Sequence, residues 1–293
     1  METAAVLTEH QKHWGVGQWS AFLVERELPS MPRSKALLRA LEDQQGEGLS
    51  ARELADIAAR DPFLCLRLLR EAEKRRTRKL GHDTTTPLGA VMQLGTDTFR
   101  QLLLDSPETD ETNPGLVACE GRSVLASRLA VLWSSARADV SPDEVGMATL
   151  LADTGELMLW SFAPELPQAA AEALTSGRAR RSVEAQQMAC GFRFHDLTMK
   201  CSEMWALPHL LTELIRGVDN VRANISRLAI NTARHLMAGF DNAALPFDLA
   251  EAQKLIPQAS LEWLAARMVG LDEERQASVI ARARHLLTEA GQH

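Results

Sequence analysis

Leu150-Leu151-Ala152-Asp153-Thr154-Gly155-Glu156-Leu157-Met158-Leu159-Trp160 decides the fold, being apolar on nearly every side yet holding a carboxylate and a glycine. Upstream, Ser141 and Glu144 flank Pro142 as a capping box with proline at the first helical position. The sequence therefore predicts a helix from there to about Phe162, ended by Pro164. A helix without a polar face belongs inside a bundle, where neighbours cover every side. Gly155 in a helix interior costs about 1 kcal/mol relative to alanine, which signals close packing.

Helical spacing continues on both sides of this stretch. Before it, 116–138 carries Val117, Val124, Leu125, Leu129, Leu132 and Trp133 at that spacing; after it, helices are predicted over 165–175, 182–190, 195–206, 208–215 and 221–239. Towards the N-terminus, 33–45 reads as a helix, Ser50 and Glu53 form a second capping box, and Asp61-Pro62 opens a third helix. Two short helices follow, one begun at Thr86-Pro87 and stopped by Gly95, the next capped by Thr96 or Asp97. Residues 246–290 add about three amphipathic helices. No alternation of strand length occurs, so the expected class is all-α, with two helical lobes and extra C-terminal helices.

The expected organisation is an N-terminal arm over 1–23, with Trp14 and Trp19 left exposed by the pattern, and a first lobe over 24–105. A linker at 106–115, rich in proline and acidic residues, leads to a second lobe over 116–240 and an extension over 241–293. At 293 residues the chain is long enough for two cores. Its net charge of −7 argues against general affinity for polyanions. No run approaches the roughly 18 apolar residues of a membrane span, and the first residues lack a leader pattern; a cytoplasmic protein with no membrane partner is expected.

Cys65, Cys119, Cys190 and Cys201 show no CxxC pairing and read as buried thiols, not as a zinc site or a disulfide framework. His10 and His13 share a helical face but lack a third ligand nearby. The one dense basic run places Lys74, Arg75, Arg76, Arg78 and Lys79 at a helix end. Cations suit that position because they offset the macrodipole, and no aromatic residue interleaves them for base stacking, so no nucleic-acid partner is expected.

Several motifs then occur in one order: Leu28-Pro29-Ser30-Met31-Pro32, Ala58-Ala59-Arg60-Asp61-Pro62 with Leu66-Arg67-Leu68-Leu69, Met92-Gln93-Leu94-Gly95, and the central stretch from Ala148. Gly191-Phe192-Arg193-Phe194-His195 and Trp205-Ala206-Leu207-Pro208 complete the series. Over about residues 24–240 it resembles the HDOD domains of bacterial signalling proteins, degenerate relatives of HD-type metal-dependent phosphohydrolases. The resemblance implies an α-helical fold and a noncatalytic signalling role with no cofactor. In the family register the first ligand histidine falls near Arg122, the His-Asp pair becomes Ala152-Asp153, and the last aspartate falls near Arg234. A cation at a ligand position repels a metal, and Asp153 with His195 supplies too few donors, so no metal is expected. Asp153 would then need a countercharge, for which Arg122 or Arg234 is the expected source. His195-Asp196 looks like an intact HD pair, yet its place at a helix start explains Asp196 as first-turn charge.

The resulting expectation is a regulatory protein whose partner is another signalling protein. One alternative is a phosphohydrolase or phosphodiesterase with a rearranged site of Asp153, Glu156 and His195; a further one is a nucleotide or nucleic-acid binding module using the basic run.

Overall fold

Prolines and capping residues set most helix starts. The computed structural model describes residues 7–46, 48–76 and 83–290. Its helices begin with α1 (Glu9–Lys12), α2 (Val16–Val24), α3 (Pro32–Gln45), α4 (Ala51–Ala58), α5 (Pro62–Arg75), α6 (Pro87–Leu94), α7 (Thr96–Leu104), α8 (Pro114–Ser134) and α9 (Pro142–Leu151). They continue with α10 (Thr154–Phe162), α11 (Glu165–Thr175), α12 (Ser182–Cys190), α13 (Phe194–Met204), α14 (His209–Arg216), α15 (Val221–Ala238), α16 (Leu245–Leu255), α17 (Leu261–Ala265) and α18 (Glu273–Ala290). Among the described residues there is no strand, only an isolated parallel bridge between Ser30 and Glu108. The all-α expectation holds, and no helix is long and apolar enough to cross a membrane among the described residues.

Two compact units are present. Unit 1 comprises residues 1–121 and 151–212; unit 2 comprises residues 122–150 and 213–293. The cuts fall within α8, before the last residue of α9, and within α14.

In unit 1, α3 to α7 close around Leu38, Leu54, Ile57, Leu64, Leu68, Val91 and Phe99. The Ser50–Glu53 box caps α4 as expected: the Glu53 carboxylate accepts the Ser50 N–H at 2.8 Å, and Ser50 Oγ accepts the Glu53 N–H at 3.3 Å. The start of α7 differs from expectation, since Gly95 occupies the cap position without a side-chain bond.

The N-terminal arm packs α2 along α13, and Trp205 Nε1 donates to the Val24 carbonyl at 3.4 Å. Trp19 is fully buried, not exposed, because it stands four residues before Leu23 on the inward face of α2. Its ring meets Trp14 and Phe22 edge-on, with centroids 5.1 and 5.8 Å away.

The segment expected as a linker is docked onto unit 1. Ser30 donates its N–H to the Pro107 carbonyl at 2.8 Å, and Thr109 donates its N–H to the Ser30 carbonyl at 3.0 Å. Buried Lys35 donates to the Ser106 carbonyl at 2.6 Å. Local composition signals turn-forming residues but says nothing of a partner more than seventy positions away.

Unit 2 is centred on Trp133, Ile225, Leu249 and Leu264. Its C-terminal helices supply much of this core. Trp133 Nε1 donates to the Leu264 carbonyl at 3.2 Å, and Arg137 donates to the Leu255 carbonyl at 2.7 Å. His235 Nδ1 and Asp248 Oδ2, 2.6 Å apart, tie α15 to α16.

The single helix expected over 142–162 is two helices, α9 and α10, parted at Ala152-Asp153. The cause is local hydroxyl chemistry. Thr154 Oγ1 donates back to the Leu151 carbonyl at 2.7 Å, and Thr198 Oγ1 donates to the Ala152 carbonyl at 3.2 Å. Those carbonyls are the acceptors that a continuous helix would use.

Candidate functional site

The candidate site in unit 1 is built where α10 and α13 begin. Asp153 holds the residue position before α10 with φ −96° and ψ 19°, and its side chain makes no cap bond to that helix. Thr198 joins the two helices: its hydroxyl accepts the Gly155 N–H at 2.9 Å while donating to the Ala152 carbonyl. A Cβ at residue 155 would lie 2.5 Å from the Phe194 carbonyl oxygen, so only glycine lets α10 approach α13 this closely. The close packing read from Gly155 is therefore present, against a specific neighbour.

His195 stands in the first turn of α13, half-buried. Burial holds its imidazole below the usual range; Asp196 and Asp153 pull it up, and Arg193 pushes it down. Asp196 is taken by Arg193, whose Nε and Nη2 donate to it at 2.9 and 2.5 Å. That pair keeps the Asp196 carboxyl low and leaves it a helix-start charge, as the sequence suggested. Glu156 accepts the Trp160 Nε1–H at 3.4 Å. Arg122 lies on α8 and Arg234 on α15, both in unit 2.

The donor chemistry does not suit a divalent metal. Ala152 offers no side-chain donor, and among the described residues no three His, Cys, Asp or Glu side chains come together as a metal-holding group. Several N and O ligands are needed for such an ion.

A second constellation joins motifs far apart in sequence. Asp61, fully buried, accepts the Met31 N–H at 2.7 Å, the Ser34 hydroxyl at 2.8 Å and the Leu64 N–H at 2.9 Å. One carboxylate thus caps α5 and clamps the Leu28–Pro32 lead-in. Burial raises the Asp61 carboxyl and these donors oppose it. Arg67 donates to the Leu28 carbonyl at 2.5 Å, and the Arg70 guanidinium sits 5.0 Å from the Trp205 ring centroid. Sequence reading treated Asp61-Pro62 as a helix start alone. The faint signal of more was the recurrence of Asp61-Pro62 and Leu28–Pro32 in one motif series.

These motifs are those of a known family, and the HDOD domain pattern matches residues 28–221. The chain belongs to the HDOD domain family. Among solved structures, this HDOD protein is similar to the MmoQ response regulator from Methylococcus capsulatus str. Bath, with 22% identity, coverage of 88% of this chain and 99% of that one, and a TM-score of 0.61. It is also similar to a virulence factor from Campylobacter jejuni subsp. jejuni, with 15% identity, coverage of 90% and 99%, and a TM-score of 0.68. At these identities the likeness is one of fold. The comparison with curated proteins gave no match.

The remaining candidates have these partners where they are described. Lys74 and Arg75 pair with Glu71 at 3.8 and 2.8 Å, and Arg76 pairs with Glu73 at 3.2 Å and with Asp83. Arg78 and Lys79 lie outside the described residues. Cys65, Cys119 and Cys201 are buried free thiols, and Cys190 is half-buried. Burial pushes Cys201 up to about 12 and Cys190 up to about 11. His10 meets Trp14 edge-on at 6.2 Å, and His13 Nδ1 lies 2.7 Å from the Glu9 carbonyl.

Proposed function

We propose that this HDOD protein is a noncatalytic signal-transduction protein that acts by binding another signalling protein. What supports the reading is the family register, in which Arg122, Ala152 and Arg234 stand where ligands are expected and leave Asp153 and His195, together with the observation that no three ligating side chains assemble among the described residues. A divalent-metal hydrolase holds its ion and activates water through several such ligands, and here too few are offered. A response regulator among the proteins of similar fold is consistent with a signalling role.

The alternative hydrolase requires Asp153, Glu156 and His195 to act together, whereas Glu156 engages Trp160 and no three such groups assemble among the described residues. Elemental analysis of the purified chain, after incubation with manganese, zinc or iron and desalting, separates the two. The expected content is below about one-tenth of an equivalent, with no turnover of nucleotides or cyclic dinucleotides. Stoichiometric metal with turnover lost in Asp153→Asn would overturn the noncatalytic reading.

A further inference from the structure

Two carboxyl groups of unit 1, Asp61 and Glu120, are buried in its interior, and they are treated differently. Asp61 is pinned by its three donors. Glu120, on α8, is 2% exposed, and its Oε1 has no hydrogen-bond partner. The groups facing Glu120 are Asp61 from the cap of α5, Arg33 from α3, and Thr109 and Glu111 from the segment before α8. The Thr109 hydroxyl is a donor toward the Glu120 carboxyl and favours its ionised form, whereas burial, Asp61 and Glu111 oppose that form. Once ionised, Glu120 adds a second buried negative charge that feels Asp61 and Glu111, and the Thr109 hydroxyl and Arg33 offset burial and that repulsion only in part.

We propose that Glu120 is a proton-operated lock on the 106–113 segment of unit 1. When protonated, Glu120 lets Thr109 and its neighbours lie against Ser30. When ionised, it drives that segment off so that water can reach the carboxylate, because Asp61 is fixed and the segment is the side able to give way. The segment is held by the Ser30 to Pro107 and Thr109 to Ser30 backbone bonds and by the Lys35 bond to the Ser106 carbonyl. Its far end continues into α8 through Asn113, whose Oδ1 accepts the Gly115 and Leu116 N–H groups and whose Nδ2 donates to the Trp160 carbonyl at 3.1 Å. Release would therefore be felt at the α8 start and at the end of α10. Burial and the adjacent Asp61 push the Glu120 carboxyl up to about 7, which places the change at neutral pH.

The test is amide hydrogen exchange of the full chain, following the Ser30 and Thr109 N–H groups from about pH 6 to about pH 8, with intrinsic rates divided out. Protection should fall about tenfold as the pH passes one unit above the transition. Glu120→Gln should keep its low-pH protection throughout. Protection that does not vary with pH in the native chain, or that varies equally in Glu120→Gln, would overturn the proposal. Should that variant not fold, carbon-13 titration of the native Glu120 carboxyl decides. A midpoint near 7 that tracks the loss of protection supports the lock, and a midpoint at the ordinary 4.5 refutes it.

Discussion

Asp61 and Asp153 both stand immediately before a helix of unit 1, and both lie within motifs of the HDOD series, yet they do opposite things. Asp61 has an extended backbone, φ −139° and ψ 103°, and its carboxylate caps α5 while clamping a distant segment. Asp153 has ψ 19° and leaves α10 without a side-chain cap. A hydroxyl from another helix, Thr198, takes over the polar groups of the Ala152–Gly155 turn instead. Asp61 thus explains itself as structure, whereas Asp153 has no such capping role at its own helix.

The strongest way to break this contrast is Asp61→Ala. It leaves the Met31 and Leu64 N–H groups and the Ser34 hydroxyl buried without an acceptor, each costing about 1–3 kcal/mol. A loss of roughly 4–5 kcal/mol in urea unfolding is expected, at the top of the range for single substitutions. Asp61→Asn, which keeps one acceptor oxygen, should lose less. A loss below about 1 kcal/mol in Asp61→Ala would show that the clamp contributes little.

Next in size is Gly155→Ala. The new methyl would press on the Phe194 carbonyl oxygen and the Thr198 N–H region, both backbone, which cannot swing away. Overpacking of this kind costs about 1–3 kcal/mol. Thr198→Val should follow at about 1–2 kcal/mol, because the Gly155 N–H and Ala152 carbonyl lose their partner in a buried turn. If Thr198→Val were neutral, the α9–α10 break would have another cause.

The difference between these regions also marks how much could be read in the sequence. Helices 165–175 and 182–190 occupy the predicted spans, the first following Pro164 and the second ending at Gly191, and the Ser50–Glu53 box is local by construction. The number of C-terminal helices follows equally from apolar spacing. What could not be read depends on contacts across long separations. Thr198 breaks a helix 46 positions away, and Ser30 converts an apparent linker into a docked segment. The helix that α2 packs along, α13, begins some 170 residues later in the chain, so the arm's own composition does not show which of its faces turns inward. Glu120 gave no signal either, since a single glutamate in a helical run is usually solvated. Of the candidate site, the place of Asp196 as a helix-start charge and the close packing at Gly155 were legible, while the Thr198 and Asp61 constellations were not.

The smallest expected effects lie at His195, and they sharpen the contrast most directly. Its imidazole is held below the usual range mainly by burial, so the unfolded chain takes up the proton more readily than the folded one. Acidification through the ordinary imidazole range near 6.5 should therefore remove stability, and His195→Gln should flatten that slope. Asp196 and Asp153 both raise the His195 midpoint, Asp196 the more strongly, and Arg193 lowers it. Nitrogen-15 titration of the ring should accordingly move down in Asp196→Asn, down by less in Asp153→Asn, and up in Arg193→Ala. The corresponding change at Asp61 should leave the ring where it is, because Asp61 is not among the charges His195 feels. A response to Asp61→Asn but none to Asp153→Asn would invert the comparison, and would place the electrostatics of the old HD position at the clamp instead of at α10.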